Sequence, residues 1–171
     1  SISSRQFTAM TRLDQNRAVG QIAEHAGVPA SAIGDVFIWG NHANTMYPDP
    51  RFGTVDGLPI TNLIDAEWLQ GQFIETVSTR GKEIIVARGA SSAASAASAA
   101  IDHMRDWWQG TNGRIVSMAI PSEGWYGVPE GLVFSFPCRC ENGGIVVVED
   151  LPIDAFAPVS YTHLRAHETV G

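Results

Sequence analysis

With 171 residues, 44% of them hydrophobic and 17% charged, the chain is long enough for one domain with a sizeable core, and its composition is not that of a disordered protein. A formal net charge of −7 with no compensating Lys/Arg cluster argues against nucleic acid or an anionic membrane surface as a partner. No apolar run approaches the roughly 18 residues of a membrane span, and Ser1 to Gln6 lack the basic and apolar zones of a signal peptide, so the expected compartment is cytoplasmic.

The chain opens at Ser1 without an initiator Met and without the strand, glycine-rich turn and helix of a nucleotide-binding domain, so further protein is expected upstream. Thr11 and Asp14 have the spacing of a capping box, with Asp in the place of Glu/Gln, and they predict a helix running to Gly27. At about 100° per residue, Asp14, Arg17, Gln21 and His25 share one face, and Val19, Ile22, Ala23 and Ala26 occupy another. Asp14 and Arg17 then admit two readings. They form a surface i,i+3 ion pair of a few tenths of a kcal/mol, or they face a site in which Arg17 grips a carboxylate and Asp14 steadies an imidazole.

Val36-Phe37-Ile38-Trp39 has the aromatic and β-branched make-up of a buried strand, and Gly40-Asn41 predict a sharp change of direction after it. His42 therefore falls where a rigid strand opens into a loop. That suits a proton-transfer group whose unperturbed pKa is about 6.5, and it equally suits an ordinary polar loop residue.

The stretch from Ala43 to Asn62 is rich in Pro and Gly and predicts turns and short strands; Asp49, Asp56 and Asp65, in or near it, are assigned no chemistry. A helix is expected from about Asp65 to Ala87, with Trp68, Leu69, Phe73 and Val77 inward and a bend at Gly81. The alanine-rich run from Ser91 reads as a helix to Gln109 rather than a linker, because Ile101, Met104, Trp107 and Trp108 continue it as an amphipathic face. Ser91 stands at its start, as an N-cap or as a pocket residue. Three strands follow, from Arg114 to Ile120, Gly131 to Cys140 and Ile145 to Glu149, the last two joined at Asn142-Gly143-Gly144. An antiparallel meander packed on helices, an α+β domain, is the expected fold. Cys138 and Cys140 lie two apart on one strand, which disfavours a disulfide between them, and no zinc-ligand spacing accompanies them.

Leu13-Asp14-Gln15-Asn16-Arg17, followed by Trp39-Gly40-Asn41-His42, Tyr47-Pro48-Asp49, Arg88-Gly89-Ala90-Ser91-Ser92-Ala93-Ala94-Ser95 and Tyr126-Gly127-Val128-Pro129-Glu130-Gly131, resembles the cytosolic-type, NAD-dependent malate dehydrogenases over about Phe7 to Phe156. The resemblance is to their C-terminal, substrate-binding half and leaves out the N-terminal Rossmann domain. It implies a domain at 1–156 in which His42 and Asp14 are catalytic, Arg17 and Ser91 bind substrate, malate and oxaloacetate are interconverted with NAD, and the full-length enzyme is a homodimer. It also implies that the NAD site and the loop arginines reading the second carboxylate lie upstream, and that the isolated chain is inactive. A non-catalytic binding or oligomerising module of the same fold, or a dehydrogenase for another 2-hydroxy acid such as lactate, remains open. A hydrolase is disfavoured for want of a Gly-x-Ser-x-Gly elbow.

Pro158 to Gly171 shows little amphipathic period and resembles translated adapter sequence, so 157–171 is expected to be a non-native tail standing where the family has a closing helix. His163 and His167, four apart, are for that reason not read as metal ligands, and no metal is expected.

Overall fold

The computed structural model describes residues 2–43 and 46–152, so the expectations for the tail at 157–171, with His163 and His167, lie outside the described residues. In chain order the principal elements are α1 (Arg12–Ala26), β1 (Ile33–Gly34), β2 (Phe37–Trp39), β3 (Tyr47–Asp49), β4 (Thr54–Val55), β5 (Leu58–Pro59), α2 (Ala66–Gln70), α3 (Gln72–Arg88), α4 (Ala93–Gln109), β6 (Val116–Pro121), β7 (Val133–Glu141) and β8 (Gly144–Val147). Every strand pair is antiparallel: the meander β6-β7-β8, the hairpin β2-β3 and a small β1-β4-β5 sheet. Asn142 and Gly143, both at positive φ (52° and 75°), make the two-residue turn that joins β7 to β8 with the twist such hairpins favour.

β2 divides the core. Successive strand residues point to opposite faces, so Trp39 packs with Met118, Phe134 and Phe136 of the meander, whereas Val36 and Ile38 pack with Ile22, Phe73 and Val77 from α1 and α3. Burying one such aromatic or branched side chain contributes about 1.5–3 kcal/mol. Polar groups fix the register: buried Gln15 donates to the Val36 carbonyl at 3.0 Å and accepts from the Ser117 amide at 3.0 Å, and the Ile38 amide donates to Ser117 Oγ at 2.8 Å. α1 is thereby tied to both strands beside it.

Three sequence expectations are corrected. The capping box does not form: Thr11 precedes α1, but its hydroxyl bonds Ser135 Oγ at 2.7 Å, and Asp14 turns elsewhere. The helix predicted from Asp65 breaks at Gly71 (φ −114°, ψ −96°) and not at Gly81, which sits inside α3; an added Cβ at Gly71 would approach the Glu67 carbonyl to 3.1 Å. In α4 the apolar stripe faces outward, with Ile101, Met104 and Trp108 exposed, while Ala99, His103 and Asp106 face the protein. The physical reason is Asp106, whose carboxylate is held inside by two arginines. Leu69, Phe73 and Val77 are buried as expected, and Trp68 is half-buried, stacked on His25 with centroids 3.9 Å apart. Cys138 and Cys140 are free, buried thiols.

Candidate active site

Three segments meet at the N-terminus of α1. The Ser135 amide of β7 donates to the Gly40 carbonyl at 2.6 Å, while the Ser135 hydroxyl bonds Thr11. Gly40, at φ 96°, takes a backbone conformation that a side chain would strain, and it turns the chain directly before His42. The strand end carrying His42 is thus pinned against the first turn of the helix carrying Asp14. His42 Nδ1 lies 2.6 Å from Asp14 Oδ2, and Arg17 Nη1 donates to Asp14 Oδ1 at 3.1 Å.

Asp14 is fully buried, Arg17 is 15% exposed and the His42 side chain is 56% exposed. A carboxylate can only accept, so the shared proton sits on Nδ1 and Nε2 is left to exchange a proton with a ligand. The hydrogen bond that His42 donates to Asp14 raises the His42 pKa above 6.5; partial burial opposes it, the Asp14 charge adds to it, and the Arg17 charge opposes it.

His42, Asp14, Arg17 and Ser91, each singled out from sequence, line one cavity of about 350 Å³. α4 begins at Ala93 with Ser92 at its N-cap position, so Ser91 lies just before the helix, and its carbonyl accepts from the Ala93 amide at 3.1 Å. Ser78, Gly81, Lys82 and Ile85 line the same cavity from α3 and were not expected there from sequence, Gly81 having been read only as a bend. Their i, i+3, i+4, i+7 spacing was the available signal.

A second cluster uses the same residue types. Asp106, fully interior, takes Arg12 on one oxygen and Arg114 on the other, the latter at 2.7 Å, and His103 Nε2 lies 2.8 Å from Thr8 Oγ1. Burial, then the Arg12 charge, lowers the His103 pKa, and the Asp106 charge only partly offsets this. The buried Cys138 and Cys140 thiols are pushed up by burial, Cys140 to about 11, so neither is a reactive thiolate near neutral pH. A larger cavity, about 580 Å³, lies by Met104, Trp108 and Trp125; its charged groups, Arg5 and Glu123, pair with each other at 2.8 Å. It contains no acid/base pair and lies outside the His42 site. Among the described residues no cluster of His, Cys, Asp and Glu could hold a metal ion, and no helix is long and apolar enough to cross a membrane.

An α+β domain with a paired His and Asp and an adjacent arginine holds the groups that proton transfer on a carboxylate ligand would use. Residues 11–164 match the family described as lactate/malate dehydrogenase, alpha/beta C-terminal domain, and the chain belongs to that family. Among solved structures it is similar to malate dehydrogenase from Naegleria fowleri, at 45% identity and a TM-score of 0.88 over 96% of this chain and 51% of that one. It is also similar to Trichomonas vaginalis lactate dehydrogenase in complex with NADH and oxamate, at 32% identity and 0.91 over 97% and 53%. Malate dehydrogenase from Salinibacter ruber matches at 27% identity and 0.83 over 98% and 55%. The chain spans about half the length of each of these proteins.

Proposed function

We propose that this chain is the substrate half of an NAD-dependent malate dehydrogenase, interconverting malate and oxaloacetate. The observation that supports it is the 2.6 Å pairing of His42 Nδ1 with buried Asp14, beside Arg17 in one cavity. In oxidation, His42 Nε2 takes the proton of the substrate 2-hydroxyl as hydride leaves the same carbon. In reduction, the protonated ring returns that proton to the forming alkoxide. Asp14 holds the ring in the tautomer with Nε2 available and stabilises the imidazolium. Arg17 holds the carboxylate next to the reacting carbon, which sets the hydroxyl against His42.

The nicotinamide cofactor supplies the hydride acceptor. The residues present fit its reactive end: Ala93 and Ala96, which line the cavity beside Ser91 and Ser92, have side chains small enough that they would leave it room. The glycine-rich phosphate turn is not among this chain's residues. The 45% identity to a malate dehydrogenase favours malate, and the 32% identity to a lactate dehydrogenase supports lactate as the second reading.

The test joins this chain to the nucleotide-binding half of the Naegleria fowleri enzyme and follows NADH formation. Malate-dependent turnover is expected, with oxidation rising and reduction falling as pH passes upward through a His42 pKa above 6.5. His42→Asn should reduce kcat/KM by about 10²–10⁴-fold. A folded, NADH-binding fusion that turns over neither malate nor lactate would overturn the proposal.

A further inference from the structure

The mechanism leaves one charged group of the cavity unused. Lys82 lines it from α3, on the face that also presents Ser78, Gly81 and Ile85. Its neighbours one helical turn away, Ser78, Thr79, Ile85 and Val86, include no acid. The adjacent acid, Glu83, is taken by Arg80 at 3.4 Å and Thr79 at 3.3 Å. Among the described residues Lys82 carries no ion pair, and it is exposed where it lines the cavity.

Gly81 explains how a second cation comes to stand beside the first. A Cβ at Gly81 would lie 3.4 Å from Arg17 Nη1 and 3.7 Å from Nη2, so the missing side chain lets the guanidinium lie against α3, one residue from Lys82. Asp14 is the only carboxylate lining the cavity among the described residues, and both of its oxygens are engaged by Arg17 and His42. Among the described residues Arg17 and Lys82 therefore give the cavity an excess of positive charge, with no described residue neutralising Lys82.

We infer that Lys82 is a specificity-determining residue that takes the second carboxylate of a dicarboxylate 2-hydroxy acid while Arg17 holds the first. This rests on the reading of the His42 cavity as a 2-hydroxy acid site, and it places part of the discrimination between dicarboxylates and monocarboxylates in this chain rather than wholly upstream. A flexible four-carbon stem ending in a compact charge can reach a distal carboxylate without the fixed geometry that Arg17 requires.

The experiment titrates the 171-residue chain with malate and with lactate, reading amide NMR shifts around His42 and α3 at low and moderate ionic strength. Malate should bind about tenfold more tightly than lactate, with the advantage shrinking as salt screens it. Lys82→Gln should remove that advantage and leave lactate binding unchanged, Lys82→Arg should restore it, and Arg17→Lys should weaken both ligands. If the native chain binds both acids equally, or if Lys82→Gln weakens both equally or neither, the role of Lys82 is overturned while the 2-hydroxy acid site stands. If neither acid shifts residues around His42, the site reading and the inference fall together.

Discussion

α1 connects two clusters of His, Asp and Arg that behave in opposite ways. At one, Asp14 divides its oxygens between Arg17 and His42, and the half-exposed ring gains affinity for a proton. At the other, Asp106 pairs with Arg12 and Arg114, while the interior His103 bonds Thr8 and, through burial, loses affinity for one. The difference lies in which partners each carboxylate takes. Asp14, with one arginine, also accepts from an imidazole, whereas Asp106 takes two arginines and no imidazole, and desolvation then dominates the histidine. Only the first cluster combines a pairing carboxylate with access to a cavity, and that makes it the acid/base candidate.

The comparison can be broken most severely at Asp106. Asp106→Ala would leave the buried Arg12 without its anion, a change expected to cost about 3–5 kcal/mol in urea unfolding. His42→Asn, at a half-exposed side chain, should stay within about 0.5 kcal/mol of the native protein in the same experiment while removing turnover from the fusion. Equal losses for the two would mean that both clusters are structural.

Asp14→Asn sharpens the contrast by removing the charge and the carboxylate acceptor. The His42 pKa should fall, read from its ring protons by NMR titration, and that of His103 should not move. A His42 pKa unchanged by the substitution would show that Asp14 does not set it.

The smallest effect is in the pH dependence of stability. His42 is raised in the fold, so its contribution is fully present below its unfolded pKa of about 6.5 and is lost as pH climbs through the higher folded value. His103 is lowered, so its neutral form favours the fold above about 6.5, and stability falls as pH drops from there toward its lower folded value. Unfolding free energies of His42→Asn and His103→Asn against pH should therefore lose slopes of opposite sign, and slopes of the same sign would refute the assignment.

Much of this was legible in the sequence because it is local. The helix of α1, the alanine-rich α4, the strand before His42 and the meander with its Asn142–Gly143 turn follow from propensity and periodicity acting within a few residues. The Leu13-Asp14-Gln15-Asn16-Arg17 motif and Trp39-Gly40-Asn41-His42 were visible as separate signals, and Leu13, Asp14 and Arg17 of the first and His42 of the second do line one cavity.

Local sequence therefore sets the kind of each element and the chemistry available on it. Which groups meet depends on contacts between segments far apart in the chain. Thr11 abandoned its cap for Ser135 across 124 residues, Gly71 rather than Gly81 interrupted the helix, and α4 turned its polar face inward because Arg12 and Arg114 were there to neutralise Asp106. A helix pattern reports which side chains share a face, but the direction of that face depends on partners far away in the chain. Ion pairing can outweigh hydrophobic periodicity when both arginines of a buried carboxylate come from other elements.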